Sequence, residues 1–277
     1  MKINKYKKDE IISIILPTYN SLTTLKRCIK SILNQKLKYQ IELIIIDDNS
    51  SDGTNKFIRD LKFSNKNKIK IIQNKTNKGV GYCRRKGIKS SQGFYVAFID
   101  ADDYWLPNKL SKQIDFMVKN KIRFSFSEYL IENGNHNKKL IHVSKPSTIS
   151  LEQNKYINNI PNSTTVITSY LAKKYKYPNL RVRNDYLYWN TLLKEEKNLK
   201  AYNINPGKVY SVYGCSKGIS SNKLNLIIHQ WKLYRLHFKY SRLDSLKGLF
   251  YNFLLNLKKI TISHLGKKLV KTIKLKI

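Results

Sequence analysis

Acidic residues are scarce in this 277-residue chain, where 18 Asp and Glu stand against 53 Lys and Arg for a formal net charge of +35 at pH 7. That imbalance calls for a polyanionic neighbour, whether nucleic acid, an anionic membrane or phosphorylated substrates, and charge alone does not choose among them. A composition rich in Lys, Asn and Ile, of the kind AT-biased coding yields, accounts for part of it. Cysteine is scarcer still. Cys28, Cys83 and Cys215 are odd in number and widely spaced, which excludes a disulfide framework and a zinc-site spacing and fits a reducing cytoplasm. Long hydrophobic runs are missing, since nothing approaches the roughly eighteen uninterrupted apolar residues of a membrane span. The opening MKINKYKKDE is basic, but IISIIL after it is short for a signal-peptide core, and PTYN follows in place of a cleavage site. The expectation is a cytoplasmic protein, soluble or attached to a surface. With 41% hydrophobic residues the chain carries enough apolar material for a real core, which excludes disorder as its overall state.

What is present has a clear rhythm. IISIIL (11–16), IELIIID (41–47), KIKIIQ (68–73) and FYVAFID (94–100) are nearly continuous apolar runs, as expected of parallel strands covered on both faces. Between the first two, Leu22, Leu25, Cys28, Ile29, Ile32 and Leu33 recur at helical steps. Between the second and third, SSDGTNKFIRDL offers Ser and Asp caps ahead of Phe57, Ile58 and Leu61. This βαβαβ pattern predicts a doubly wound α/β domain. Ligands of such sheets sit beyond the carboxyl ends of the strands. Each strand here runs into a polar or glycine-rich loop: PTYN (17–20), DDNSSDGT (47–54), NKTNKGVGYCRR (74–85) and DADD (100–103). Singly, such loops are turns and helix caps; together they predict one crevice.

The last of them gathers Asp100, Asp102 and Asp103 within FIDADDYW. Neighbouring carboxylates repel unless a cation joins them, and hard oxygen ligands suit Mg²⁺ or Mn²⁺. In an extended segment, Asp-Ala-Asp would point two carboxylates to one side, where they could share a divalent ion and its bound phosphates. The bland alternative is a solvated turn ahead of a helix near Pro107.

The series ILPTYN, IIIDDNSSDGT, NKGVGYCRRKGI and GFYVAFIDADDYWLPNKL, over roughly residues 11–120, resembles the family 2 glycosyltransferases of the GT-A fold. The resemblance implies a Rossmann-like, mostly parallel sheet flanked by helices. It also implies metal-dependent, inverting transfer of a hexosyl or N-acetylhexosaminyl group from a nucleotide-sugar donor, usually a UDP-sugar. By it, Pro17, Tyr19 and Asp48 line the nucleobase pocket, with Asp48 receiving uracil. Asp100 faces the ribose, Asp102 binds Mn²⁺ or Mg²⁺, and Arg84 lies near the nucleotide. Cys83 and Arg85 depart from the alanine and asparagine usual beside that arginine. In the second half, STTVITSYL (163–171) reads as a strand running into a short helix, and RVRNDYLYWNTLL (181–193) as a helix begun at a capping Asn or Asp. The latter resembles the family's Glu-Asp-aromatic stretch, with Asn184 in place of the glutamate and Asp185 as the implied catalytic base. An ordinary helix N-terminal aspartate, favoured by the helix dipole, is the alternative reading. The five histidines, His136, His142, His229, His237 and His264, share no metal-ligand spacing.

The catalytic domain is expected over residues 1–220 and a basic, helical extension over 221–277, which carries thirteen Lys and Arg against the single acid Asp244. Leu246, Leu249, Phe250, Phe253, Leu254 and Leu257 form a helical stripe, Leu224, Ile227, Ile228 and Trp231 an earlier one, and Leu265, Leu269 and Ile273 a later one. Basic amphipathic helices fit an anionic membrane surface or pack on the domain; the expectation is the first helix packed and the last at the lipid. Other classes fare worse. A nucleotidyltransferase would place a glycine-rich phosphate loop after the first strand, where PTYN stands, and the Gly79 and Gly81 loop lacks the dinucleotide spacing of a dehydrogenase. RNP, zinc-finger and basic-zipper patterns are missing, so nucleic acid is not the expected partner. The expected setting is bacterial surface polysaccharide or lipopolysaccharide synthesis, on a glycan or lipid-linked acceptor at the inner face of the cell membrane. A protein that binds nucleotide sugars or nucleic acid without transferring anything is the alternative.

Overall fold

The computed structural model describes residues 11–64, 69–132, 140–214 and 223–265. Its first half alternates β1 (Ile11–Thr18), α1 (Leu22–Leu33), β2 (Gln40–Asp47), α2 (Thr54–Ser64), β3 (Ile69–Gln73), α3 (Val80–Ser90) and β4 (Tyr95–Phe98). All four expected strands are present, and they pair in parallel in the order β3-β2-β1-β4. Period two sorts the side chains of β1. Ile12, Ile14 and Leu16 join Leu25, Cys28, Ile29 and Ile32 of α1 on one face, while Ile15 meets Ile44, Ile46, Cys83 and Phe98 on the other. Both faces are therefore dry, and each such isoleucine contributes about 1.5–3 kcal/mol of burial. Cys28 and Cys83 are buried free thiols within these two cores, and Cys215 lies outside the described residues.

The chain continues through β5 (Tyr104–Trp105), α4 (Lys109–Lys119), β6 (Phe124–Phe126), β7 (Glu128–Glu132), β8 (Leu140–Val143), β9 (Thr148–Ile149), α5 (Leu151–Asn154), β10 (Val166–Thr168), α6 (Ser169–Lys174), α7 (Asn184–Glu195), β11 (Ala201–Asn203) and β12 (Val209–Tyr213). The main sheet grows to eight strands by adding β10, β6, β11 and β9, with β10 antiparallel between β4 and β6. A small sheet in the order β5-β12-β7-β8 stands beside it. The segment read as strand into helix is β10 into α6.

Helix α7 differs from its expected start. Its N-cap is Arg183 in the left-handed region, at φ 59°, with no side-chain cap, and Asn184 and Asp185 lie in the first turn. Asn184 is drawn away from capping because its Nδ2 donates back to the Leu180 carbonyl at 2.9 Å and its Oδ1 accepts from Arg84. The helix is anchored by Trp189, fully buried against Phe98 (ring centroids 5.5 Å) and Phe124 (5.2 Å). Asp185 lies four residues earlier, on the same helix face, which carries it toward the carboxyl end of β4.

Two further helices, α8 (Lys223–Lys232) and α9 (Arg242–Leu265), are joined through a π-helical turn, Leu233–His237. They dock through Leu233, Tyr234, Phe238, Tyr240 and Leu249 onto Tyr156 and Tyr186. The predicted stripe of α9 faces away from this contact: Leu246, Phe250 and Phe253 are more than half exposed, and among its described side chains only Leu249 turns in. The packed face is built instead from Ser245, Gly248 and Asn252, where a Cβ on Gly248 would meet Tyr234 at 2.6 Å. Ile227 and Ile228 of α8 are exposed as well. The side chains of Leu224, Leu257 and Leu265 and the residues Leu269 and Ile273 lie outside the described residues, as do His136 and the side chain of His264. Among the described residues, no helix is long and apolar enough to cross a membrane.

Candidate active site

The loops after β1 to β4 meet, and hydrogen bonds join them. Pro17 is buried near the carboxyl end of β1, and Tyr19, just past the strand, is half exposed. Asn20 N donates to Ser50 Oγ at 2.9 Å, and Ser51 N donates to Asn20 Oδ1 at 2.9 Å, tying the first loop to the second. Asp52 serves as a shared cap, accepting from Leu22 N (3.0 Å) at the start of α1 and from Thr54 N (3.0 Å) at the start of α2. Asp48 ties the second loop to the third. Its buried carboxylate accepts from Asn74 Nδ2 at 2.7 Å, Lys78 N at 2.9 Å and Gly79 N at 2.7 Å. This clamp sets the glycine-rich loop at the head of α3.

Arg84, one turn into α3, joins the third loop to the fourth and to the second half. The buried guanidinium donates from Nη2 to Asp100 Oδ1 and from Nη1 to Asn184 Oδ1 and to Tyr177 Oη (3.3 Å). Burial works against its charge, but Asp100, Tyr177 and Asp185 outweigh it and push its proton affinity above the ordinary arginine value. Tyr177 itself is held neutral, its phenol raised by burial.

The carboxylate cluster is a turn, not the extended segment expected. Asp103 N donates to the Asp100 carbonyl at 3.0 Å, which closes the chain on itself right after β4. The turn still crowds the three acids. Burial, then Asp102, then Asp100 push the Asp103 carboxyl well above its usual range. Cys28, beneath the turn, has its thiol raised by burial and then by Asp103, Asp100 and Asp102. Asp100 is braced by Arg84 and by Asn162 Nδ2 (3.2 Å), and Asp103 accepts from Gly214 N at 3.0 Å. A Cβ on Gly214 would lie 2.1 Å from the Asp102 carbonyl oxygen, so the strand-end after β12 is pressed against this turn.

Among the described residues, no cluster of three or more His, Cys, Asp or Glu side chains could hold a metal by itself. The donor set nevertheless fits a magnesium-like ion, which takes one or two carboxylates and completes its shell from substrate phosphates and water. Asp102 and Asp100 press on the buried Asp103 carboxyl, a crowding that an added cation would relieve.

Asp185 is half-buried in the first turn of α7, where its Oδ2 accepts from Asn158 Nδ2 at 2.8 Å. The structure thus brings Asp48, Arg84, Asp100 and Asp185 into one hydrogen-bonded chain of loops and helix starts, with Pro17 and Tyr19 at its edge. Sequence reasoning missed Asn74, Asn158, Asn162 and the partner of Asn184. Asparagines in a chain this rich in them carry no motif, and their roles follow only from contacts across 12 to 100 residues.

Comparison with known proteins gives a consistent picture. Residues 13–183 match the sequence profile of Glycosyl transferase family 2. The chain is 35% identical over 226 residues to the UDP-Glc:alpha-D-GlcNAc-diphosphoundecaprenol beta-1,3-glucosyltransferase WfgD of Escherichia coli, covering 80% of this chain and 85% of that one. It is 32% identical over 235 residues to the putative teichuronic acid biosynthesis glycosyltransferase TuaG of Bacillus subtilis, covering 82% and 90%. In fold it resembles TarS of S. aureus in complex with UDP-GlcNAc, with a TM-score of 0.67 at 22% identity over 88% of this chain and 71% of that one.

Proposed function

The chain belongs to glycosyltransferase family 2, and from that premise we propose that it transfers a sugar from a UDP-sugar to a hydroxyl of a lipid-linked glycan, inverting the anomeric carbon. The observation that carries this reading is Arg84, which fastens Asp100 of the donor loops to the start of the helix bearing Asp185. Donor and base would then share one rigid frame.

In this reading Pro17, Tyr19 and Asp48 receive the uracil and Asp100 the ribose. Asp102 holds Mn²⁺ or Mg²⁺, which when bound offsets charge on the departing diphosphate. Asp185 takes the proton from the acceptor hydroxyl while that oxygen bonds to the anomeric carbon and the carbon–diphosphate bond breaks on the opposite side. The donor named for the E. coli relative, UDP-glucose, is the first to test, and its diphosphoundecaprenol-linked acceptor fits the bacterial polysaccharide setting. A lipid-linked acceptor also gives the outward face of α9 a purpose. Leu243, Leu246, Phe250 and Phe253 are exposed beside Arg242 and Lys247, an apolar face with a basic rim that suits an anionic membrane surface. In this reading the protein works at the cytoplasmic face of the membrane.

Calorimetry with UDP and Mn²⁺ tests the donor half of the site. Wild-type protein should bind UDP more tightly with Mn²⁺ than without, and Asp102→Ala should abolish the difference. An unchanged metal dependence in the variant removes Asp102 from the ligand shell.

A further inference from the structure

We propose that Asn158 is a positioning residue for the catalytic base, orienting the Asp185 carboxylate toward the acceptor hydroxyl through a single hydrogen bond. This rests on the reading of Asp185 as the base. The contact is Asn158 Nδ2 to Asp185 Oδ2 at 2.8 Å. Its direction is fixed, because an ionised carboxylate only accepts, so the amide nitrogen must be the atom that faces it. The other end of the amide, Oδ1, is buried with no hydrogen-bond partner among the described residues.

The segment around Asn158 is pinned from several sides. Asn159 N donates to Asn154 Oδ1 at 2.8 Å, and Asn159 Nδ2 donates to the Gln153 carbonyl at 2.7 Å. The Lys155 carbonyl accepts from Tyr186 Oη at 2.6 Å, on the residue directly after Asp185. The Tyr156 carbonyl accepts from Tyr234 Oη at 2.6 Å and from Asn252 Nδ2 at 2.7 Å, so the α8–α9 hairpin braces the same segment. Base and positioning group are therefore locked to each other at both ends of the contact.

The charges around Asp185 explain why an amide is used. Arg84 of α3 acts on it across space but directs its Nη1 and Nη2 donors to Asp100, Asn184 and Tyr177, while the Tyr177 phenol is neutral and Arg183 precedes the helix. Asn158 is the side chain that donates directly to Asp185, and a neutral amide fixes the carboxylate's orientation without adding a charge beside it.

The test is the pH dependence of sugar transfer in full-length Asn158→Leu and Asn158→Asp, with melting temperature and UDP affinity measured alongside. Losing the N–H raises the proton affinity of Asp185, so the acid limb of the turnover profile should move to higher pH. The expected displacement is about one pH unit for Asn158→Leu, equivalent to a tenfold change, and more for Asn158→Asp, whose own charge opposes that of Asp185. UDP affinity should stay within about twofold. Asp185→Asn in the same assay separates the two readings. If it destroys turnover while both Asn158 variants leave the acid limb in place, the base stands and the positioning role falls. If Asp185→Asn turns over normally, the base reading falls and takes the positioning role with it.

Discussion

Removing the Arg84 guanidinium is the perturbation with the most calculable consequence. Arg84→Met keeps much of the side chain's length and buried hydrocarbon but deletes three hydrogen bonds, to Asp100, Asn184 and Tyr177. Breaking a buried ion pair from one side costs about 3–5 kcal/mol, because the remaining charge loses its partner. The Asp100 side chain is 30% exposed, however, and keeps its bond from Asn162, so water and the amide recover part of that loss. An expected net cost of about 2–3 kcal/mol results, which for a domain of this size lowers the melting temperature by roughly 5–10 °C. Urea unfolding should move its midpoint with an unchanged slope, the sign of lost stability without altered compactness. Arg84→Lys should recover less than half of the loss, since an ammonium cannot reach Asp100 and Asn184 with the arginine's planar fork. A melting temperature within about 1 °C of wild type in Arg84→Met would refute the bridge as a buried link between the two halves of the site.

Gly214→Ala should perturb the Asp102 turn without touching an acid, because the added methyl would overlap the Asp102 carbonyl oxygen. UDP affinity with Mn²⁺ should fall at least tenfold while affinity without metal is kept, as titration calorimetry will show. Replacing Leu246, Phe250 and Phe253 of α9 with serine should release the protein from vesicles containing anionic lipid in a cosedimentation assay. Melting temperature should be unchanged, because these side chains face outward; a drop of several degrees would mean that the face is packed.

The parallel half of the fold was legible because its physics is local. Strands such as β1 and β2, dry on both faces, must be apolar throughout, and α1 must repeat its buried residues at helical steps. The second half was less legible where distant contacts overrode local pattern. On α9 the periodicity identified an apolar face but not which face packs, since Gly248 and Asn252 dock closely onto tyrosines while Leu246 and Phe250 point away. At α7 the capping rule favoured Asn184, yet Arg84, 100 residues earlier in the chain, claims its side chain. The Asp100–Asp103 segment looked extended because it follows a strand, and only the Asp103 to Asp100 backbone bond reveals the turn. Asp48 entered the candidate site by resemblance, while its grip on Lys78 and Gly79 depends on a loop 30 residues away.

The base bears most directly on whether the crevice transfers sugar or only binds nucleotide. Asp185→Asn preserves shape and exchanges one carboxylate oxygen for an amide, in a first helical turn where no capping bond depends on it. On a single preparation, UDP-sugar affinity with Mn²⁺ and the turnover of sugar transfer should be measured together. Affinity should stay within about twofold of wild type, and turnover should fall on the order of a hundred- to ten-thousand-fold, the usual loss for a positioned general base. Near-normal turnover with intact donor binding would contradict Asp185 as the base and leave it a helix-start residue favoured by the dipole.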